Sequence, residues 1–94
     1  MRFDQIEWDE TKRTSNIKKH GLDFLDVLHV FDGPCLLATA NTVGGESRSL
    51  AIGMLDDVCV VIIFTLRGTT LRVISMRKAR RNERKQYDEE ILGC

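Results

Sequence analysis

The sequence predicts an α+β domain in which two helices precede a three- to four-stranded antiparallel sheet and a further helix follows it. Three observations support this class. Helical periodicity fills the first third of the chain, short apolar segments separated by tight turns begin at Cys35, and a polar segment rich in helix formers ends the chain. With 94 residues and no linker-like segment, the chain is expected to form one domain, residues 1–94.

The first two helices are predicted from their capping residues. Asp9 is a favourable N-cap for a helix that runs to about His20, and Gly21 supplies the left-handed residue that commonly ends a helix. Asp23 can cap a second helix over 24–31, where apolar residues recur at helical spacing along one stripe. The segment Asp32-Gly33-Pro34 ends that helix.

The strands are predicted at 35–40, 46–54, 58–65 and 70–76, and the loop 41–45 contains a double glycine. The turns Asp56-Asp57 and 67–69 are short enough to join neighbouring strands as antiparallel hairpins. Val58–Thr65 is apolar on both faces, which predicts the central strand of the sheet. The segment 77–92 contains no helix breaker and predicts the last helix, which is expected to pack through Ala79, Tyr87 and Ile91.

Composition and motifs exclude several classes of protein. No apolar run approaches the roughly 20 residues that a membrane helix needs. The three cysteines form no CxxC pair, which argues against a zinc site or a disulfide scaffold and favours a reducing cytoplasm. Acidic residues near the start of the chain argue against a signal peptide. Motifs for nucleotide cofactors, zinc proteases and serine hydrolases are absent, so no cofactor or metal is expected.

The net charge of zero conceals a basic end. Residues 67–94 contain eight Lys and Arg against four Asp and Glu, and between positions 67 and 85 the single acid is Glu83. Local charge, rather than total charge, sets the field that a ligand meets. The last third of the chain is therefore a candidate surface for a polyanion.

Three clusters in this chain could carry chemistry. In the last helix, Arg80, Arg84 and Tyr87 share one face, with Arg77 and Arg81 nearby; a guanidinium offers a fork to phosphate, and a tyrosine can stack on a base or exchange a proton. The alternative is a solvated basic face without a role.

The second and third clusters lie earlier in the chain. Glu46 and Arg48 continue the inward face of their strand to the rim of the core, where they form either part of a cleft or a simple ion pair. The third cluster lies at the end of the first helix and consists of Asn16, Lys19, His20 and Gly21. It either binds a ligand, or its cations only complement the helix dipole.

A set of short motifs lies in order along the chain. It consists of Trp8-Asp9-Glu10, Lys12, Asn16, Lys19-His20-Gly21, Phe24, Val30-Phe31-Asp32, Glu46-x-Arg48, Ile52-Gly53, Ile74-Ser75, Arg77-Lys78-Ala79, Glu83-Arg84 and Tyr87. In this order and spacing the motifs resemble those of the BrnT toxins of bacterial type II toxin–antitoxin systems over nearly the whole chain, from Ile6 to Glu89. Two departures are Met76, where the family usually has a small residue, and the Gly-rich loop 41–45, where relatives often carry acids.

The resemblance implies a cytoplasmic ribonuclease toxin with a fold similar to that of the RelE mRNA-cleaving toxins, working without a metal. It also implies a co-encoded antitoxin of the ribbon–helix–helix type, a complex of two toxins and two antitoxins, and contact with operator DNA only through the antitoxin. The implied reaction is transphosphorylation, in which the RNA 2′-OH attacks the adjacent phosphate and the 5′-oxygen leaves.

For this reaction we expect Glu46 and Arg48 to converge with Arg77, Arg80, Arg84 and Tyr87 on one concave face. The candidate catalytic residues are Glu46, Arg48, Arg77, Arg84 and Tyr87, and the candidate RNA-binding residues are Lys19, His20, Arg67, Lys78, Arg80 and Arg81. Glu46 is the first candidate for the base, with His20, Lys78 and Tyr87 as other candidates for proton transfer.

Two other functions compete with this one. A binding module that retains only the antitoxin interaction would have almost the same sequence. Direct binding of the basic helix to operator DNA is less favoured, because DNA-binding proteins usually carry a clear positive excess.

Overall fold

A computed structural model describes residues 2–40 and 44–93. In chain order the elements are β1 (Gln5–Glu7), α1 (Glu10–His20), a 3-10 turn (Phe24–Asp26), α2 (Val27–Asp32), β2 (Leu36–Thr39), β3 (Ser49–Leu55), β4 (Val58–Arg67), β5 (Thr70–Lys78) and α3 (Arg81–Ile91). The α+β class is confirmed. Of the helices in these two ranges, none has both the length and the apolar composition to cross a membrane.

The strands form one mixed sheet in the order β1-β5-β4-β3-β2. The consecutive strands β2 to β5 pair antiparallel, and β4 lies at the centre as predicted. The prediction of a wholly antiparallel sheet of three or four strands is wrong, because β1 adds a fifth strand that pairs parallel with β5. Three residues are too few to show a strand period, and their pairing depends on a partner more than 60 positions later in the chain.

The predicted caps of the first helix are confirmed. Asp9 accepts hydrogen bonds from the backbone N–H groups of Thr11 (2.8 Å) and Lys12 (3.2 Å), and Gly21 ends α1 with a φ of 69°. Asp23 accepts from the N–H of Leu25 at 3.0 Å, but the chain makes one 3-10 turn there before α2 begins. Of the predicted loop 41–45, residues 41–43 lie outside the described ranges.

The last helix begins later than predicted. β5 continues to Lys78, which pairs with Val60, so the predicted helix start at Arg77 is wrong and α3 starts at Arg81. Glu83 fixes this start because its carboxylate accepts a hydrogen bond from the N–H of Arg80 at 2.7 Å. Residues 77 and 78 favour a helix by their propensity, but they pair with the central strand β4 instead.

The sheet buries residues on both faces, which we name the α2 face and the α3 face. The α2 face packs against the helical segment 22–30 through Ala51, Val60, Ile62, Phe64, Leu71, Val73 and Met76. The α3 face packs against α3 through Ile52, Cys59 and Val61, together with the partly buried Leu50, Met54 and Ile63. β4 is therefore covered on both sides at its start, as its apolar sequence predicts.

Candidate functional site

A basic groove lies between α1 and the sheet and encloses about 280 Å³. Four of its residues recur at i, i+3, i+4 and i+7 along α1, so that one helix face forms one wall. Arg48 and residues of β5 form the other side; Arg48 lies just before β3, which begins at Ser49 rather than at the predicted position 46. The residues that line this basic groove are Lys12, Ser15, Asn16, Lys19, His20, Arg48, Ile74 and Ser75.

Asn16 holds α1 in its position beside β5. Its side chain is buried, and its Nδ2 donates to the carbonyl oxygens of Met76 (2.8 Å) and Leu22 (3.0 Å). Its Oδ1 accepts from the N–H of Met76 at 3.1 Å. The Asn16 amide therefore pairs with both the N–H and the C=O of Met76, which lies on β5 beyond the residues that pair with β1. These hydrogen bonds hold the end of α1 beside Ser75.

A second basic pocket of about 340 Å³ adjoins the groove, and Lys19 and His20 line both cavities. The residues that line the second basic pocket are Lys19, His20, Arg77, Lys78 and Arg80. Arg77 is fixed there by a bidentate ion pair with Glu83, with N–O distances of 2.8 and 2.9 Å. The structure thus brings Lys19 and His20, predicted as a separate cluster, next to Arg77, Lys78 and Arg80.

Five of the cations that line these two cavities form no salt bridge within residues 2–40 and 44–93. They are Lys12, Lys19, Arg48, Lys78 and Arg80. Cations gathered without compensating acids repel one another unless solvent or an anion separates them. The two cavities thus suit a ligand with more than one negative charge, such as a nucleic-acid backbone.

Glu46 forms an ion pair, which was the alternative to a place in the cleft, but its partner is Arg67 rather than Arg48. Its carboxylate pairs with Arg67 at 3.0 Å and lines neither cavity. The hydrogen-bonded Arg67 guanidinium, with smaller contributions from the charges of Arg48 and Arg72, holds the pKa of Glu46 below its ordinary value. A carboxylate with a lowered pKa accepts protons less readily, so this environment disfavours Glu46 as a base.

Arg84 and Tyr87 lie at the opposite end of the sheet from Glu46. Tyr87 is 2% exposed in the core beneath α3, and its hydroxyl donates to the carbonyl oxygen of Pro34 at 3.1 Å. Arg84 pairs with Asp88 on the same helix at 2.9 Å. Arg84 is close enough to Cys59, near the start of β4, for its charge to oppose the rise that burial causes in the pKa of that thiol. Arg67, which pairs with Glu46, ends the same strand roughly 25 Å away.

The predicted convergence on one concave face is therefore wrong for Arg84 and Tyr87. Tyr87 is a core residue, which accords with the apolar contacts that α3 needs. Arg81 is exposed on α3 and lines neither cavity. The sequence reasoning missed Lys12 and Ser15, although their spacing from Lys19 along one helix face was available as a signal.

Among the residues of the two described ranges, no group of three or more His, Cys, Asp or Glu side chains could hold a metal ion. The ionisable groups nearest the two cavities are instead cations and one histidine, His20. Anion binding is the chemistry that these side chains can support directly.

Replacing Tyr87 tests its assignment to the core. We expect Tyr87→Phe to lower the free energy of unfolding by about 1 kcal/mol, because it removes one hydrogen bond and leaves the carbonyl of Pro34 without that donor. Chemical denaturation measures the change. Any RNA-cleaving activity of the wild type should be retained, and a loss of cleavage in a folded variant would show that the phenol takes part in the reaction.

Acid titration tests the ion pair that fixes Arg77. The hydrogen-bonded Arg77 guanidinium lowers the pKa of Glu83 from its ordinary 4.5. A lowered carboxyl pKa stabilises the fold above the ordinary pKa, and this contribution is lost as the pH falls through the lowered value. The stability difference between wild type and Glu83→Gln should therefore be largest above pH 4.5 and shrink below it. A pH-independent difference in denaturation curves would contradict this.

Comparison with known proteins identifies the family of this chain. Residues 8–83 match the family model described as ribonuclease toxin, BrnT, of type II toxin-antitoxin system. A search of curated proteins found no match. The family match spans most of the 94 residues and includes every residue of the groove and of the second pocket. The chain belongs to the BrnT family of ribonuclease toxins of type II toxin–antitoxin systems.

Proposed function

We propose that this chain is an endoribonuclease that cleaves mRNA in the basic groove by attack of the RNA 2′-OH, without a metal ion. The observation that carries the proposal is that His20 lines the same groove as Arg48 and Lys19, two cations that form no salt bridge within the described residues. Family membership supports the ribonuclease activity. The geometry supports this groove, rather than the outer surface of α3, as the place of reaction.

Arg48 and Lys19 bind the scissile phosphate in this proposal. The reaction passes through a pentacoordinate phosphorus with more negative charge than the starting diester. Cations that are already in position stabilise that charge without reorganising during the reaction. Arg48 offers several N–H donors in a planar fork, which matches two phosphate oxygens.

His20 is the group best placed for proton transfer. The imidazole of His20 lines both cavities and can serve as a general acid or base, whereas the carboxylate of Glu46, paired with Arg67, is a weak base and lines neither cavity. The 2′-oxygen forms a bond to phosphorus and loses its proton, and the bond from phosphorus to the 5′-oxygen breaks. The 5′-oxygen takes up a proton, and the products are a 2′,3′-cyclic phosphate and a 5′-hydroxyl.

The partner in this proposal is an antitoxin whose DNA-binding half is of the ribbon–helix–helix type. Membership of a type II toxin–antitoxin family supports a protein antitoxin. The unpaired cations favour an acidic antitoxin segment, which would compete with RNA. Two toxins and two antitoxins then form the cytoplasmic complex, which binds operator DNA through the antitoxins alone.

The test is cleavage of a 5′-labelled RNA by the purified chain, with and without EDTA. We expect cleavage in both conditions, 2′,3′-cyclic phosphate ends, and no cleavage at a position whose 2′-OH is replaced by 2′-O-methyl. Loss of cleavage in EDTA would overturn the metal-independent mechanism. Binding of RNA or antitoxin without any cleavage would instead support a degenerate binding module.

A further inference from the structure

We propose that the second basic pocket binds the phosphate next to the scissile one, so that efficient cleavage requires at least two consecutive phosphates. This inference rests on the proposed function, because it takes the basic groove as the place where the bond is cleaved. It assigns Lys78 and Arg80 to substrate positioning, with no part in the chemical step.

The two cavities are continuous along the same elements. Lys19 and His20 lie between them and line both. On β5, Ser75 lines the basic groove and Arg77 lines the second pocket, two residues further along. Two residues of a strand span about 7 Å, a distance that one sugar–phosphate repeat of an extended single strand can bridge.

The side chains of the second pocket suit a phosphate that is bound but not cleaved. Lys78 and Arg80 are exposed and, within the described ranges, form no salt bridge. Arg77 is held in a fixed orientation by Glu83, which also accepts from the N–H of Arg80. Apart from His20, which also lines the basic groove, the side chains of this pocket are lysines and arginines, which bind a phosphate by charge and by hydrogen bonds.

A phosphate bound in the second basic pocket would restrict how the RNA lies in the basic groove. When two neighbouring phosphates are bound, the RNA is held with its 2′-oxygen in line with the bond that breaks. Less orientational freedom then has to be lost in the chemical step. The effect should depend on the charge of one particular phosphate, because Lys78 and Arg80 contribute charge rather than contacts with a base.

The experiment uses a short 2′-O-methyl RNA with one unmodified ribonucleotide, supplied as a mixture of all four bases at that position. Only one bond can then be cleaved. In matched substrates, an uncharged methylphosphonate replaces the phosphate on either the 5′ or the 3′ side of that bond. Wild type, Lys78→Ala/Arg80→Ala and the control Lys18→Ala/Lys85→Ala are compared, since both control lysines lie outside the two cavities.

We expect one of the two neutral replacements to slow cleavage by wild type about 10- to 100-fold, as for the loss of a hydrogen bond to a charged group. The same replacement should have little further effect in Lys78→Ala/Arg80→Ala, while the control double variant should behave as wild type. Such non-additivity shows that the side chains of Lys78 and Arg80 interact with that phosphate.

Two other results separate the inference from the proposed function. Equal cleavage of all three substrates by wild type would overturn the second phosphate site and leave the proposed function intact. No cleavage of the fully charged substrate, under conditions in which ordinary RNA is also left intact, would overturn the proposed function and this inference with it.

Discussion

Arg48→Ala is expected to lower the rate of RNA cleavage by about 10²- to 10³-fold, the usual effect of removing one electrostatic group from a reacting centre. The side chain lines the basic groove and, within the described part of the chain, forms no salt bridge. Its removal should therefore leave the fold intact. Single-turnover cleavage of a labelled RNA, measured beside a denaturation curve, separates the two effects.

The matched variants for this prediction are Arg48→Lys and Lys85→Ala. Arg48→Lys retains the charge but not the planar fork, so it should restore only part of the rate. Lys85→Ala removes a cation outside both cavities and should cleave as wild type does. Wild-type cleavage by a folded Arg48→Ala protein would exclude this arginine from the reaction.

Asn16→Ala is expected to lower the free energy of unfolding by about 3 kcal/mol. The substitution removes three hydrogen bonds and leaves the N–H and C=O of Met76 and the C=O of Leu22 without this partner. Each buried backbone group left unsatisfied costs about 1–3 kcal/mol, and relaxation or entering water recovers part of that cost. Thermal or chemical denaturation measures the loss.

Ser15→Ala is the control, because Ser15 is the exposed neighbour of Asn16 on the same helix. Its effect on stability should stay within about 0.5 kcal/mol. If Asn16→Ala proved equally mild, the amide would not be what holds α1 against β5. The position of Lys19 and His20 would then need another explanation.

Local signals in the sequence were sufficient for most of the fold. Asp9 and Gly21 mark the ends of α1 by backbone chemistry that operates within a few residues. The apolar sequence of β4 shows that both of its sides are covered. β1 could not be predicted in this way, because Gln5–Glu7 forms a strand only through its pairing with 70–72. The same kind of long-range pairing carried β5 past the predicted helix start at Arg77.

The sequence identified several residues of the candidate site, but not how they are arranged in space. Lys19 and His20 were identified from the end of α1, and Arg48 from a predicted strand face, although β3 begins one residue after it. Spacing along α3 wrongly grouped Tyr87 with Arg84 as a ligand face, because periodicity alone does not show which side of a helix packs on the sheet. Asn16 belonged to the family pattern, but its role depends on a β5 residue 60 positions away.

NMR titration with a non-cleavable RNA tests the central claim, that RNA binds in the groove between α1 and the sheet. The titrant is a short, fully 2′-O-methylated oligonucleotide, and the observed signals are the backbone amides of the ¹⁵N-labelled protein. We predict the largest shifts at Lys19, His20 and Ser75, with small changes at Arg84 and Tyr87. Largest shifts on α3 around Arg84, with an unchanged groove, would contradict the account.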